Sequence, residues 1–512
     1  MDTGAATVTR DQRRGEASIL RRIWRLHFWV ALFSAPALIT LACTGLVILY
    51  TQPLDMWLHK DLKAVAQGSQ QVSLDDQVAA ARQHIGADMV LDGVIPPDAP
   101  GHSTEVDFAP AEVAEVGERN LIQVFIDPYT GRYLGQRSEL SGIVGWANQL
   151  HRLFGNDGPK ISLPSLGHII APSAYPDATM KVGVGNLIIE VMAGWILVLL
   201  ASGIYLWWPR AIEGGKPRLA VRWRKSGRLR WRDLHATTGI LVSIVLICYI
   251  VSGLTWSRYW GENWRAVAAT VTPAAEIDAP STPAKVGDFD RLGRRVAWAA
   301  KDDAVFASTT SAPGGPRPAT LGLAEIDRIA KDEKMVPGYA IIPPSDSVGE
   351  DGEPVYGSYT VVNHWPQKLS EQRTLYLNQF TGQTITNSRA AQDGALSRLS
   401  SWSVDMHMGN QYGLLTRTLA TLACLGLLTM ITTGVIMWWK RRPTGSSGLP
   451  GRASDKSGVG TPRRAAVAVG VIGTVLAVVY PAFGVTLLLV IGAEVLLAAT
   501  RGEDRSVSLP DR

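Results

Sequence analysis

Residues 187–210 read LIIEVMAGWILVLLASGIYLWWPR, and this stretch decides the fold. Glu190 is its only charge before Arg210. About 18 or more apolar residues with almost no charge are enough to cross a bilayer as one helix. Three further runs, at 29–50, 237–256 and 414–439, have the same character. A fifth apolar region, 465–500, is too long for one ordinary span, and Pro481 divides it. A helical hairpin is the expectation there, with one long tilted helix as the alternative. Mean hydropathy is only +0.08 because polar segments separate these runs.

Charge sets the topology, since short loops rich in lysine and arginine stay cytoplasmic. Six arginines and three acids precede Leu26. The loop after Trp208 carries nine basic residues up to Arg232 against Glu213 alone, and the loop at 440–464 seven against Asp455 alone. Nucleic-acid binding is the competing explanation for such basic stretches, and their position beside spans disfavours it. The first run lacks a small-residue cleavage site, so it reads as a retained anchor. The expected layout is a cytoplasmic N-terminus (1–26), spans at 27–50 and 183–208, a basic loop (209–234) and spans at 235–257 and 412–439. A second basic loop (440–464), the hairpin (465–500) and a tail (501–512) follow. Segments 51–182 and 258–411 then lie in the periplasm and are long enough to fold. All three cysteines, Cys43, Cys248 and Cys424, fall in spans, which leaves the polar segments no disulfide framework.

The chain repeats itself. Leu26-His27 is followed eighteen residues after the histidine by Gly45, in Thr44-Gly45-Leu46; Leu234-His235 is followed at the same distance by Gly253, in Ser252-Gly253-Leu254. The second span ends Ser202-Gly203 … Trp207-Trp208-Pro209-Arg210, the fourth Thr433-Gly434 … Trp438-Trp439-Lys440-Arg441. The polar segments share a strand–turn–strand pattern at 123–135 and 374–385, with helical stretches expected at 73–86 and 322–334. The expected fold is an α-helical integral membrane protein with four core spans and a C-terminal hairpin. It carries two periplasmic α+β domains and an internal two-fold repeat.

Four of the nine histidines follow that repeat. His27 and His235 stand at the cytoplasmic ends of spans one and three; His151 and His407 precede spans two and four on the periplasmic side. A single interfacial histidine is explained by a hydrogen bond to backbone or lipid. Four in a repeated pattern point to function, and six-coordinate haem b needs one imidazole from each side of its ring. Ala31 and Ala35 share the face of His27, and Gly239 and Ser243 that of His235, which offers a flat slot or plain helix packing. A polar insertion of roughly twenty-five residues follows His151 and brings in His168 as a rival ligand; Met406 and Met408 are the alternatives to His407. Arg25, Arg152, Arg232 and Arg417 suit haem propionates or phospholipid. His59, His84, His102 and His364 show no ligand spacing.

These residues resemble the PepSY-associated transmembrane proteins, which include iron-regulated siderophore reductases of the inner membrane. The resemblance covers residues 21–443. It rests on Leu26-His27, Trp231-Arg232-Asp233-Leu234-His235, the Trp207–Arg210 ending, the hairpin at 127–131 and the 433–441 echo. It implies PepSY-like periplasmic domains and two haem b groups, with iron held by His27 and His235 near the cytoplasm and by His151 and His407 near the periplasm. The implied activity is one-electron reduction of a ferric siderophore, which releases iron as Fe(II). No Gly-rich dinucleotide fingerprint follows a strand, so a quinol or a separate reductase is the expected electron donor. Membrane lipid is the other expected partner, and nucleic acid is not. Two readings compete: a non-redox, membrane-anchored PepSY protein that binds peptides or regulates a peptidase, and a transporter built on repeats. The repeated histidines speak against the first, and spans poor in carboxylates against the second.

Overall fold

A computed structural model describes residues 3–111, 121–154, 158–208, 219–224, 227–274, 277, 279–289, 296, 298–310, 316–349, 352–363, 368–442, 448–449, 471, 474–475 and 479–506. The helices used below are α1 (Thr3–Leu49), α2 (Leu74–Arg82), α3 (Gly142–Leu153), α4 (Val184–Trp207), α5 (Arg228–Leu254), α6 (Trp260–Val271), α7 (Leu323–Asp332), α8 (Ala395–His407), α9 (Leu414–Arg441) and α10 (Pro481–Ser506). The strands are β1 (Met89–Ile95), β2 (Thr104–Pro110), β3 (Ile122–Ile126), β4 (Tyr133–Ser138), β5 (Ala340–Ile342), β6 (Ser358–Val362), β7 (Arg373–Asn378) and β8 (Thr384–Arg389).

Four helices are long and apolar enough to cross a membrane: α1 over Leu20–Leu49, α4, α5 and α9. They are the four expected spans. α5 begins nine residues before its apolar run and α9 ends two after its own, because long arginine and lysine stems can lie along a helix while their charges reach water. α1 packs on α4 and α9, and α5 packs on the same two helices. Where α5 meets α9, a Cβ on Gly426 would stand 2.7 Å from Val242, so glycine sets that close approach.

α10 lies along α4. Phe483 occupies the notch left by Gly194, and its ring meets Trp195 edge-on at 5.3 Å. Trp195 Nε1 donates to Thr486 Oγ1 at 3.1 Å, and the Tyr480 hydroxyl donates to the Glu190 carbonyl. The first half of the expected hairpin falls mostly outside the described residues. So do residues 209–218 and 225–226 of the first basic loop, most of the second, and His364.

The two long polar segments meet in one antiparallel sheet of order β8-β7-β6-β5-β1-β2-β3-β4. Each segment supplies four strands that lie side by side, and the halves join where Val94 pairs with Ile341, both fully buried. Joining at β1 and β5 removes two exposed edges, whose free N–H and C=O groups would otherwise invite aggregation. The expected strand–turn–strand units are β3–β4 and β7–β8. Asp127 Oδ1 accepts from the Tyr129 amide and Asn378 Oδ1 from the Phe380 amide. Gly131 and Gly382 then close the turns at φ 70° and 71°, a region open to glycine. The expected helical stretches are α2 and α7. They pack with Phe108, Val106, Ile326 and Leu375 in the main core.

From the sheet's two outer strands the chain returns to the membrane through α3 and α8. α3 lies against α1, and α8 against α5. The insertion after His151 forms a small hairpin, Lys160–Pro164 with Thr179–Gly183. Its turn region is anchored to α6, where Asn263 Oδ1 accepts from the Leu166 amide at 2.7 Å.

Candidate metal centre: two opposed histidine pairs

The bundle brings the four histidines together in two pairs. His27 on α1 faces His235 on α5, with ring centroids 6.4 Å apart and planes at 85°. His151 on α3 faces His407 on α8, again at 6.4 Å, with planes at 53°. A metal–imidazole nitrogen bond is about 2 Å and a ring centre lies roughly 1 Å behind its nitrogen, so trans imidazoles on one metal have centres about 6 Å apart. Both pairs have that separation.

Behind every histidine stands a hydroxyl residue followed by a glycine, carried on a neighbouring span. His27 Nδ1 is 2.9 Å from Ser202 Oγ, and His151 Nδ1 is 3.0 Å from Thr44 Oγ1. His235 Nδ1 meets Thr433 Oγ1 at 3.1 Å and the Met430 carbonyl at 3.0 Å. His407 Nδ1 meets Ser252 Oγ at 3.3 Å and the Tyr249 carbonyl at 2.8 Å. Each of these hydroxyls donates its own proton to a carbonyl one turn back in its helix: Leu199, Thr40, Met430 or Tyr249. The hydroxyl oxygen is therefore left to accept. The imidazole proton resides on Nδ1, and Nε2 keeps the lone pair a metal requires.

The glycines make room for the rings. A Cβ on Gly45 would lie 3.3 Å from His151 Cε1, one on Gly203 3.3 Å from His27 Cε1, one on Gly253 2.7 Å from His407 Cε1, and one on Gly434 3.8 Å from His235 Cε1. α1 thus carries a ligand-type histidine for one pair and, eighteen residues on, the glycine backing the other; α5 does the same. At 1.5 Å per residue the two pairs stand about 27 Å apart along the helices.

Arginines stand beside both pairs. Arg25 Nε, Arg232 Nε and Arg417 Nε are buried and have no hydrogen-bond partner among the described residues. Arg25 and Arg232 precede His27 and His235 by two and three residues, and the backbone of Arg417 lies against Gly409, just beyond His407. Arg152 lies over the Trp256 ring at 4.9 Å.

His168 is placed elsewhere, its Nδ1 donating to the Tyr175 carbonyl at 3.0 Å; His151 is the ring opposite His407. Met408 packs with Trp298 and Val404. His59 bonds Asp55, His84 stacks on Tyr133 and His102 bonds Asp98. The slot expected around Gly239 is a helix contact, since a Cβ there would meet Met430 Sδ at 3.3 Å. Sequence reading missed the backing role of the four Ser/Thr-Gly pairs, although their recurrence in all four spans was visible.

The family model described as the PepSY-associated TM region matches residues 24–441. The chain belongs to this family. No curated protein matches it. The PepSY-associated match begins just before His27 and ends with α9, so all four histidines, their backing pairs and the whole sheet lie inside it. α10 lies outside.

Proposed function

We propose that this PepSY-associated membrane protein is a transmembrane reductase of the inner membrane. It holds two haem b groups and passes electrons to a periplasmic ferric-siderophore-like chelate. The observation carrying this reading is the 6.4 Å separation, found twice, between imidazoles whose Nδ1 protons are held from behind. Among the described residues no three His, Cys, Asp or Glu side chains gather as a metal site. Each histidine pair would offer two imidazole nitrogens to one group, and a haem would bring its remaining metal ligands itself. The buried Nε atoms of Arg25, Arg232 and Arg417 suit the carboxylates such a ring carries.

In this reading the basic loops hold the His27–His235 pair at the cytoplasmic face and the sheet is periplasmic. The chain follows an internal two-fold repeat, each half contributing one span histidine and one from a helix beneath the sheet. Haem supplies one-electron transfer at a potential set by its axial ligands and burial. The protein fixes both imidazoles, keeps their Nδ1 protons on a helix and excludes water. A ferric chelate binds its metal far more tightly than the ferrous one, so one electron releases iron as Fe(II) without breaking the ligand. A quinol or a separate reductase supplies the electron.

The test is an absorption spectrum of purified protein, oxidised and dithionite-reduced, with haem counted per chain. A sharp reduced α-band and two haems per chain are expected, falling to one in His27→Ala and in His407→Ala. A colourless protein from haem-supplied cells would overturn the reading.

A further inference from the structure

A second feature of the sheet side owes nothing to the histidines. The described residues of a further segment, 281–289 and 298–306, pack beside β7: Phe306 meets Tyr376 edge-on at 4.9 Å, and Trp298 Nε1 donates to the Thr255 carbonyl at the end of α5. Between this segment, β7 and the start of α8 lies a cavity of about 240 Å³. That is room for a molecule of several heavy atoms.

Its lining is chemically one-sided. Asp303 and Asp393 both face it, and no basic side chain lines it among the described residues. Tyr376 completes the polar end, 1 % exposed, with a hydroxyl that has no hydrogen-bond partner among the described residues. Burial, and then the charge of Asp303, pushes the Asp393 carboxyl up to about 7. Burial, and then Asp302, pushes Asp303 up to about 6. Ile277, Ala279 and Phe306 make the rest of the wall apolar, with Ser388 and Gln392 at its margin.

Among the described residues, a buried phenol without a partner costs free energy unless something meets it, and of the two adjacent carboxyls raised by burial only Asp393 feels a positive charge, that of Arg398, which does not line the cavity. A hydrated metal ion would find too few ligands and an apolar wall. A protonated amine on a short alkyl chain satisfies all three polar groups and the wall together. We propose that the cavity bounded by Asp303, Asp393 and Tyr376 is a binding site for a small organic ammonium. It stands at the far end of α8 from His407, about 20 Å by helix rise, so an occupant there is not in contact with the histidine pair.

Isothermal titration of the full-length protein in detergent with pentylammonium, and with 1-pentanol as its neutral isostere, tests this. Saturable binding of the ammonium alone is expected, weakened at least tenfold in Asp393→Asn and several-fold in Tyr376→Phe, with thermal unfolding confirming that both variants fold. Equal uptake of 1-pentanol, unchanged affinity in both variants, or no binding by the wild type would each overturn the proposal. The haem count decides the reductase reading separately, so either proposal can fail without the other.

Discussion

At each of the four histidines a hydroxyl and the glycine after it do different jobs, and substitutions separate them. Alanine at Gly253 would drive a methyl to 2.7 Å from His407, whereas at Gly434 the distance to His235 is an ordinary 3.8 Å. Under the proposed haem reading, Gly253→Ala is therefore expected to lose the haem of the His151–His407 pair, and Gly434→Ala to keep both; haem counts on the purified variants check this. Thr433→Val keeps the side-chain shape and removes the oxygen that accepts from His235, while the Met430 carbonyl remains. Haem retention with a shifted reduction potential is the expected result, since outer partners tune ligand basicity. The histidines were legible in the sequence because ionisable residues at spans are rare. Their backing was not, because Thr433 and His235 become neighbours only once α5 and α9 are known to pack together.

Single elements are held by charges whose partners lie far away in sequence. Asp55, just beyond α1, receives two hydrogen bonds from Arg137 on β4, at 2.6 and 3.0 Å, and a contact from Lys63 at 2.9 Å. Burial alone would raise its carboxyl, but Arg137 and Lys63 outweigh it and hold the group well below the usual carboxylate range. The folded state thus binds this proton less readily than the unfolded one. The stabilisation is complete above about pH 4 and is lost as pH falls below it. Asp55→Ala should cost about 3–5 kcal/mol, because it strands a buried guanidinium, and should flatten the acid limb of a melting-temperature profile against pH. Glu190 plays a comparable part for α6: its Oε1 accepts from the Tyr259 and Trp260 amides at 2.8 and 3.1 Å, capping the helix from another element. Glu190→Ala should destabilise by about 1 kcal/mol, with Glu190→Gln milder. The four spans, α2, α7 and the β3–β4 and β7–β8 units were readable from periodicity, whereas α3, α6 and α8 were not expected. These caps and ion pairs were not readable, since nothing local marks Asp55 as the partner of Arg137.

Across the whole molecule the sheet joins the halves at one end and the histidine pairs join them among the helices. The sequence implied two polar modules, and their union was hidden because β1 and β5 pair through a short contact between distant segments. Ile341→Asp would place a carboxylate without a partner at the fully buried junction. It should lower the melting temperature by several degrees and speed amide exchange in β1 and β5 while haem content stays at two. The eighteen-residue step from His27 to Gly45, shared by His235 and Gly253, has a further consequence. At 3.6 residues per turn it closes about five whole turns, so both members look out from the same face of one rod. One residue inserted or deleted between them would swing one site by about 100° relative to the other. Lineages carrying this protein should therefore vary freely in loop length yet hold the length of these two spans constant, their alignments showing gaps everywhere except there.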